Sequence, residues 1–165
     1  MKLDSTDIQL LNLLQQDSKK TAKELGIALD TPVTTVYAKI KRMEELGLIQ
    51  RYTAILDGSK LGFTATAFVL ATFSYRSSGS TEATLSQRKV AKEVASFPEV
   101  QEVHIISGDW DLLIKVRTTD IDAIGRFVVD KLRTVRGIEK TVTCMVFDTA
   151  KETLEINVGK HTVAW

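Results

Sequence analysis

One predicted helix combines residues that could read and hold double-stranded DNA. Pro32 stands at its first position, where proline's fixed φ suits a helix, and Gly47 follows its end. At about 100° per residue, Val33, Val36, Ile40 and Met43 share one face. The opposite face carries hydroxyl, small and cationic residues: Thr34, Thr35, Ala38, Lys41 and Arg42. Threonines can reach base edges and cations can contact phosphates, which favours a recognition helix in a major groove. The alternative is a charged face that is merely solvated.

Two shorter helices are predicted before this one, and together the three predict a helix-turn-helix. Residues Asp4 to Asp7 offer N-cap candidates for the first helix, which continues with a leucine stripe. Thr21 and Glu24 have the spacing of a capping box at the start of the second. Thr31 is the expected N-cap of the third.

The rest of the chain predicts an α+β domain. The predicted order is strand 63–75, helix 84–96, strands 100–107 and 110–117, a helix capped at 119–120 and closed by Gly137, and strand 138–148. This βαββαβ order is the ferredoxin-like arrangement. Because Leu112, Ile114 and Val116 alternate with Leu113, the sheet is apolar on both faces. We expect the uncovered face to pair with the same face of a second subunit in a two-fold dimer.

Turn-forming residues divide the chain. We predict a helix-turn-helix domain with a β-rich connector at 1–56, a hinge at 57–62, the ligand-binding and oligomerisation domain at 63–148, and a tail at 149–165. The tail could add one strand at 154–158. The roles of this tail and of the serine- and glycine-rich stretch 76–86 stay open.

Composition restricts the location and the chemistry. The opening residues are too polar for a signal peptide, and no apolar stretch approaches the roughly 18 residues that span a bilayer. A single cysteine, Cys144, provides neither an internal disulfide nor zinc-ligand spacing. We therefore expect a cytoplasmic, nucleoid-associated protein with no membrane partner, no metal and no cofactor. Since the net charge is only +1, DNA binding would depend on the local placement of cations.

From about Leu3 to Asp148 the chain resembles the Lrp/AsnC family, the feast/famine regulators of bacteria and archaea. The motifs that carry the resemblance are Leu3-Asp4-x-x-Asp7-x-x-Leu10-Leu11-x-x-Leu14-Gln15-x-Asp17, Val36-x-x-Lys39-Ile40-x-x-Met43-Glu44-Glu45-x-Gly47-x-Ile49, Gly108-Asp109-Trp110-Asp111 and Gly137-Ile138-x-x-Thr141-x-Thr143. The fold it implies is an N-terminal (winged) helix-turn-helix domain followed by a ferredoxin-like effector and dimerisation domain. Lys20 and Lys39 stand where the family commonly has arginine, which keeps the charge but loses the forked hydrogen bonding.

The resemblance implies a transcriptional regulator that binds palindromic operators as a dimer, often assembled into an octamer. The expected DNA-binding residues are Thr31, Val33, Thr34, Thr35, Ala38, Lys39, Lys41 and Arg42. It also implies an amino acid or related metabolite bound between dimers, near the Gly-x-x-Asp loop. The expected effector-binding residues are His104, Gly108, Asp109, Trp110, Asp111, Thr141 and Thr143. Free backbone N–H groups of that loop could hold a carboxylate, and Asp111 could receive an ammonium group. The same residues could instead form an ordinary hairpin turn.

Two other functions remain open at this point. Relatives with this fold act as sirohaem decarboxylases, which use histidine and arginine. Here the only histidines are His104 and His161, and no Ser/His/Asp grouping stands out, so we predict no catalytic residues and no enzyme. An architectural DNA binder without an effector is the second alternative.

Overall fold

The computed structural model describes residues 3–74 and 85–159. They divide into two compact units. The helix-turn-helix unit contains the described residues up to Ile55 and from Lys151 onward, and the sheet unit is Leu56–Ala150. The assignment of the C-terminal segment to the helix-turn-helix unit was not predicted. The predicted loop 76–86, apart from its last two residues, and His161 lie outside the described residues.

The helix-turn-helix unit contains α1 (Ser5–Gln16), α2 (Ala22–Ala28) and α3 (Val33–Glu45). Each of the first two helices begins with a reciprocal capping box, between Asp4 and Asp7 and between Thr21 and Glu24. The core is formed by Leu10, Leu14, Leu25, Val36 and Met43. Leucine spacing and capping chemistry therefore identified these helices correctly.

The turn between α2 and α3 is tight. The Thr31 N–H donates to the Gly26 carbonyl at 2.9 Å, and Asp30 has a φ of 48°. A Cβ at position 26 would lie 2.7 Å from the Thr31 carbonyl oxygen, so only glycine leaves room for this turn. The prediction that Thr31 caps α3 was wrong: Pro32 holds the cap position, and the Thr31 hydroxyl donates to the Leu29 carbonyl instead.

The sheet unit has the predicted βαββαβ order. Its elements are β1 (Ala65–Phe73), α4 (Gln87–Val94), β2 (Val100–Ile105), β3 (Leu112–Thr118), α5 (Ile121–Arg126) and β4 (Ile138–Met145). The helix of α5 continues as a π turn over Phe127–Lys131 and a 3₁₀ turn over Leu132–Thr134. The sheet order is β2-β3-β1-β4 and every pairing is antiparallel, which is the ferredoxin-like topology.

One face of the sheet forms the core with the helices. Alternate residues of β1 and β3 are buried and pack with apolar side chains of α4 and of the α5 segment. The α5 segment is α5 together with the π turn and the 3₁₀ turn that continue it. Among these, Phe127 meets the ring of Phe97 edge to face, with 5.7 Å between centroids. The other face presents Leu70 beside Leu113 and Val142, with Phe68 next to them. In this single chain it is the half-exposed face, as predicted.

Two connecting segments differ from prediction. The β-rich connector after α3 forms no strand in the described structure, although the Tyr52 hydroxyl donates to Glu44 at 2.9 Å. Burial, helped by that carboxylate, raises the pKa of Tyr52 to about 12. The predicted hinge contains an ordered 3₁₀ turn, Ser59–Leu61, because Asp57 accepts the Lys60 N–H and Gly62 adopts a φ of 85°. The possible strand at 154–158 is not formed, since these residues have no regular secondary structure.

None of the helices in the described part of the chain is both long and apolar enough to span a membrane.

Candidate nucleic-acid interface and ligand pocket

The face of α3 that points away from the core is open. Thr34, Ala38 and Lys41 share it at spacings of four and three, and all three are exposed. The Lys41 side chain is 64% exposed, and its ion pair with Glu45 is long at 3.9 Å. Such a pair is weak in water. Lys41 can therefore exchange this contact for a phosphate. Val33, Thr35 and Arg42 are also exposed, whereas Thr31 is half-buried in the turn.

Two predicted DNA-binding cations instead connect α3 to α1. The Lys39 ammonium contacts Asp4 and lies 2.9 Å from Asp7 Oδ1, and the Arg42 guanidinium lies 2.7 Å from Asp7 Oδ2. The Lys39 side chain is 17% exposed and the Asp7 side chain only 1%. The hydrogen bond from Lys39 lowers the pKa of Asp4. Burial alone would lower the pKa of Lys39, but its bonds to Asp4 and Asp7 outweigh burial and raise it. Lys39 thus links α3 to α1 through ion pairs, while the Arg42 side chain remains partly exposed.

Other residues suited to DNA were missed by the sequence reasoning. Tyr37 is 66% exposed on the flank of the open face of α3. Lys19 and Lys23 are exposed around the start of α2, the helix that in this motif crosses the phosphate backbone. The run Lys19-Lys20 before the capping box was the available signal. Two lysines next to the start of a helix could have been predicted to contact DNA phosphates.

A pocket of about 380 Å³ in the sheet unit unites two of the predicted effector-binding residues with charged neighbours. It is lined by Trp110, Arg133, Glu139, Lys140, Thr141 and Val142. Trp110 belongs to the loop between β2 and β3, Arg133 ends the α5 segment, and the rest lie on β4. The lining offers cations, a carboxylate, a hydroxyl and an aromatic ring. These are the groups needed to hold a small zwitterion.

Asp111 anchors the loop that carries Trp110. Its carboxylate accepts the Phe73 N–H at 2.8 Å and the Gln87 side-chain amide at 3.3 Å. The backbone adds bonds from Asp111 N–H to the Ala71 carbonyl and from Ile106 N–H to the Asp111 carbonyl. A carboxylate can accept about four hydrogen bonds, so a ligand could still approach it. In the chain as it stands, however, Asp111 positions the loop.

The remaining predicted effector-binding residues do not line this pocket. Gly108, with a φ of 118°, and Asp109 form the exposed turn of the loop. Thr143 is paired with Val69 further along β4. His104 lies on β2, at the opposite edge of the sheet, and its ring is 3.2 Å from Glu102. That hydrogen bond lowers the pKa of Glu102, which also contacts Lys115.

The charged residues Arg133, Glu139 and Lys140 were missed. Their signal was weak, since charges next to a helix end and on an edge strand are usually solvated. A second, larger pocket, about 450 Å³, opens at the other end of β4. It is lined by Thr64, Ala65, Asp120, Ile121, Asp122, Met145, Val146 and Phe147. Without a cation it is poorly suited to a carboxylate ligand. The described residues contain no group of three or more His, Cys, Asp or Glu side chains that could hold a metal ion.

Family profiles match both units. Residues 66–156 match the Lrp/AsnC ligand binding domain, and residues 3–50 match a winged helix-turn-helix DNA-binding domain. An uncharacterised HTH-type transcriptional regulator of Pyrococcus abyssi is 43% identical over 150 residues, covering 91% of this chain and 96% of its own. The HTH-type transcriptional regulator FL11 of Pyrococcus horikoshii is 31% identical, with coverages of 94% and 97%.

Solved structures agree on the fold. An AsnC family transcriptional regulator from Agrobacterium tumefaciens matches with a TM-score of 0.82 and 29% identity, covering 93% of this chain and 96% of its own. A transcriptional regulator from Neisseria meningitidis, solved as a complex with L-methionine, matches with a TM-score of 0.85 and 24% identity. The coverages there are 94% and 96%.

Proposed function

We propose, starting from the fact that this chain belongs to the Lrp/AsnC family of DNA-binding transcriptional regulators, that it is a dimeric, sequence-specific regulator controlled by an amino acid or related metabolite. It acts on chromosomal DNA in the cytoplasm. The observation that carries the proposal is the open face of α3, where Thr34, Ala38 and Lys41 are exposed together.

Thr34 and Lys41 have different tasks in this proposal. Thr34, near the start of α3, reads base edges, because the N-terminal part of a recognition helix enters the major groove. Lys41, further along, neutralises a phosphate and adds affinity that is independent of sequence. Ala38 between them lets the helix approach closely.

Binding-site selection from a random duplex library provides the DNA for the test. Lys41→Ala should weaken binding to the selected duplex and lower the slope of log K against log salt by about one. Lys60→Ala, an exposed lysine of the sheet unit, is the matched control and should leave both unchanged. Thr34→Ala should relax the base preference in a repeated selection. If Lys41→Ala leaves affinity and salt slope unaltered, the proposed interface is wrong.

Dimerisation through the half-exposed face of the sheet completes the DNA-binding proposal. Phe68, Leu70, Leu113 and Val142 form an apolar centre that a second copy would cover. The two recognition helices would then contact half-sites about 34–36 Å apart, or a multiple of that distance.

Light scattering at micromolar concentration tests this assembly. The wild-type chain should have at least the mass of a dimer, and further assembly of dimers should give up to an octamer. Leu113→Glu should yield monomers, whereas Ile121→Glu, at an exposed apolar position on α5, should not. A monomeric wild-type chain would contradict the proposal.

The pocket beside Trp110 is the proposed effector site. Arg133 and Lys140 would bind the carboxylate of an amino acid, and Glu139 its ammonium group. Trp110 would provide an aromatic wall for the side chain or for the ammonium group. Supporting this class of ligand, the Neisseria structure with the same fold contains L-methionine.

A thermal-shift screen with each of the twenty amino acids tests the effector. A ligand at one hundred times its Kd stabilises the folded chain by about 2.7 kcal/mol. Such a stabilisation raises the unfolding temperature measurably. Arg133→Gln should reduce that shift, and the control Arg126→Gln, an exposed arginine of α5, should retain it. If no amino acid shifts the transition while the selected DNA is still bound, the effector proposal fails and an effector-independent DNA binder remains.

A further inference from the structure

The chain passes between the two units twice. The first passage lies between Ile55 and Leu56, and the second between Ala150 and Lys151, after β4. The described residues Lys151–Gly159, here called the tail segment, belong to the same compact unit as the three helices. The helix-turn-helix unit is therefore connected to the sheet unit by two separate passages of the chain.

Side-chain amides on α1 hold the backbone of the tail segment. The Ile156 N–H donates to Gln15 Oε1 at 2.7 Å, and Gln15 Nε2 donates back to the Ile156 carbonyl at 3.0 Å. Asn12 Nδ2 donates to the Val158 carbonyl at 3.2 Å. Asn12 and Gln15 are three residues apart and share one face of α1, and their hydrogen bonds show that this face meets the backbone of Ile156 and Val158. Gln15 thus supplies the two hydrogen bonds that a neighbouring strand would make.

The side chains of the tail segment contribute little to this attachment. Leu154 is 80% exposed and Ile156 is 68% exposed. Since Leu154 and Ile156 bury little apolar surface, the hydrogen bonds made by the Asn12 and Gln15 side-chain amides are a specific attachment of the tail segment. Removing them should release the tail segment without disturbing the helical core, because Gln15 is itself exposed on α1.

The other end of α1 is fixed to the recognition helix. Asp7 lies about one and a half turns before Asn12 and binds both Lys39 and Arg42 of α3. A continuous set of contacts therefore leads from the end of β4, through the tail segment and α1, to α3. All the non-covalent contacts in it lie inside the helix-turn-helix unit.

We infer that the tail segment is a second tether of the DNA-binding helices, and that Asn12 and Gln15 are positioning residues for operator recognition. A domain attached by two connections explores fewer orientations than one attached by one. In a dimer this restriction raises the probability that both recognition helices reach their half-sites together. The inference rests on the proposed dimeric binding to paired half-sites.

The test compares the full-length wild-type chain with a double variant, Asn12→Leu/Gln15→Leu, and with a chain ended after Ala150. The probes are the selected two-half-site duplex and a duplex containing one half-site. Hydrogen exchange followed by mass spectrometry monitors the backbone of residues 153–158. Both variants should bind the single half-site within about twofold of wild type. The ratio of two-half-site to one-half-site affinity should fall about tenfold, as expected when effective concentration decreases.

Gln16→Leu is the matched control, since this neighbouring exposed glutamine has no contact with the tail segment among those described. It should retain both the exchange protection of 153–158 and the affinity ratio. An unchanged ratio in the double variant, with its tail released, overturns the inference and leaves dimeric binding intact. Retained exchange protection in the double variant also overturns it. If the wild-type chain itself does not prefer two half-sites, the proposed dimeric recognition fails first, and the inference fails with it.

Discussion

In the helix-turn-helix unit, five buried apolar side chains form the described core, whereas in the sheet unit fifteen buried residues lie between the sheet and its helices. The smaller unit adds a buried carboxylate, Asp7, that binds cations from α3. A small domain buries a smaller fraction of its surface, so it has less apolar contact with which to define helix positions. In the helix-turn-helix unit, ion pairs help to fix the positions of the helices. In the sheet unit, apolar packing fixes them.

The two units also treat their polar surfaces differently. In the helix-turn-helix unit Lys39 of α3 is half-buried and makes ion pairs within the protein, whereas Lys41 of α3 is exposed on the open face. In the sheet unit Arg133 lines one pocket together with Glu139 and Lys140 of the edge strand β4. A DNA-binding surface must stay accessible over a whole helix face, whereas a small-molecule pocket needs only a few groups at one place.

The largest effect should come from the apolar core of the sheet unit. Phe127→Ala should lower its free energy of unfolding by about 3–5 kcal/mol, because a fully buried ring is replaced by a cavity beside Phe97. Chemical denaturation followed by circular dichroism measures the change. Phe147→Ala, at a residue that is 98% exposed, is the control and should alter stability by less than about 0.5 kcal/mol. Similar losses in both variants would show that the core is misassigned.

Removing the buried carboxylate of Asp7 tests whether ion pairs stabilise the helix-turn-helix unit. Asp7→Ala leaves Lys39 and Arg42 without their shared partner and removes the acceptor of the Asp4 N–H. Because both cations keep some contact with water, the expected loss is about 1–3 kcal/mol in the helix-turn-helix unit. Denaturation of that transition checks the value. Glu45→Gln, which breaks the exposed pair with Lys41, should cost no more than about 0.5 kcal/mol. If Asp7→Ala costs no more stability than Glu45→Gln, the ion pairs of Asp7 do not stabilise the unit.

Adding one methyl group should have opposite signs in the two units. Gly26→Ala places a Cβ 2.7 Å from the Thr31 carbonyl oxygen, which forces the turn before α3 to move and costs about 1–3 kcal/mol. Gly125→Ala, on α5, meets nothing within 4 Å and should stabilise the helix by up to about 1 kcal/mol. Thermal melts of the two variants measure the difference. If both variants change stability in the same direction, the turn before α3 has room for a Cβ at position 26.

The smallest expected effect is a dependence on pH at the start of α1. The pKa of Asp4 is lowered in the folded chain by its hydrogen bond with Lys39, so the ionised form is favoured by folding. The resulting stabilisation is present above the ordinary pKa of an aspartate, about 4, and is lost as the pH falls through the lowered value. Denaturation of wild type and Asp4→Asn between pH 7 and pH 2 should show a steeper acid loss for wild type. Parallel curves would contradict the assignment.

Local patterns predicted most of the architecture. The spacing of Leu10, Val36 and Met43 predicted which helix faces are buried, and the capping residues predicted where α1 and α2 begin. The residues of β3 predicted a sheet that is apolar on both faces, and the order of elements predicted its topology. These features depend on neighbours within a few residues, because helix and strand periodicity are local properties of the chain.

Contacts between distant residues were decided by the tertiary structure. Helical periodicity placed Lys39 and Lys41 on a helix surface, but only the packing of α1 against α3 brought Asp7, more than thirty residues away, to Lys39. Packing likewise placed the Asp111 carboxylate against the backbone of β1 and put His104 and Thr141 on opposite edge strands. It also added Arg133 to the pocket that contains Trp110 and Thr141. It also brought Gln15 to Ile156, 141 residues apart. Which charge or amide meets which partner depends on the relative placement of elements, and one element's residue pattern contains no information on that placement.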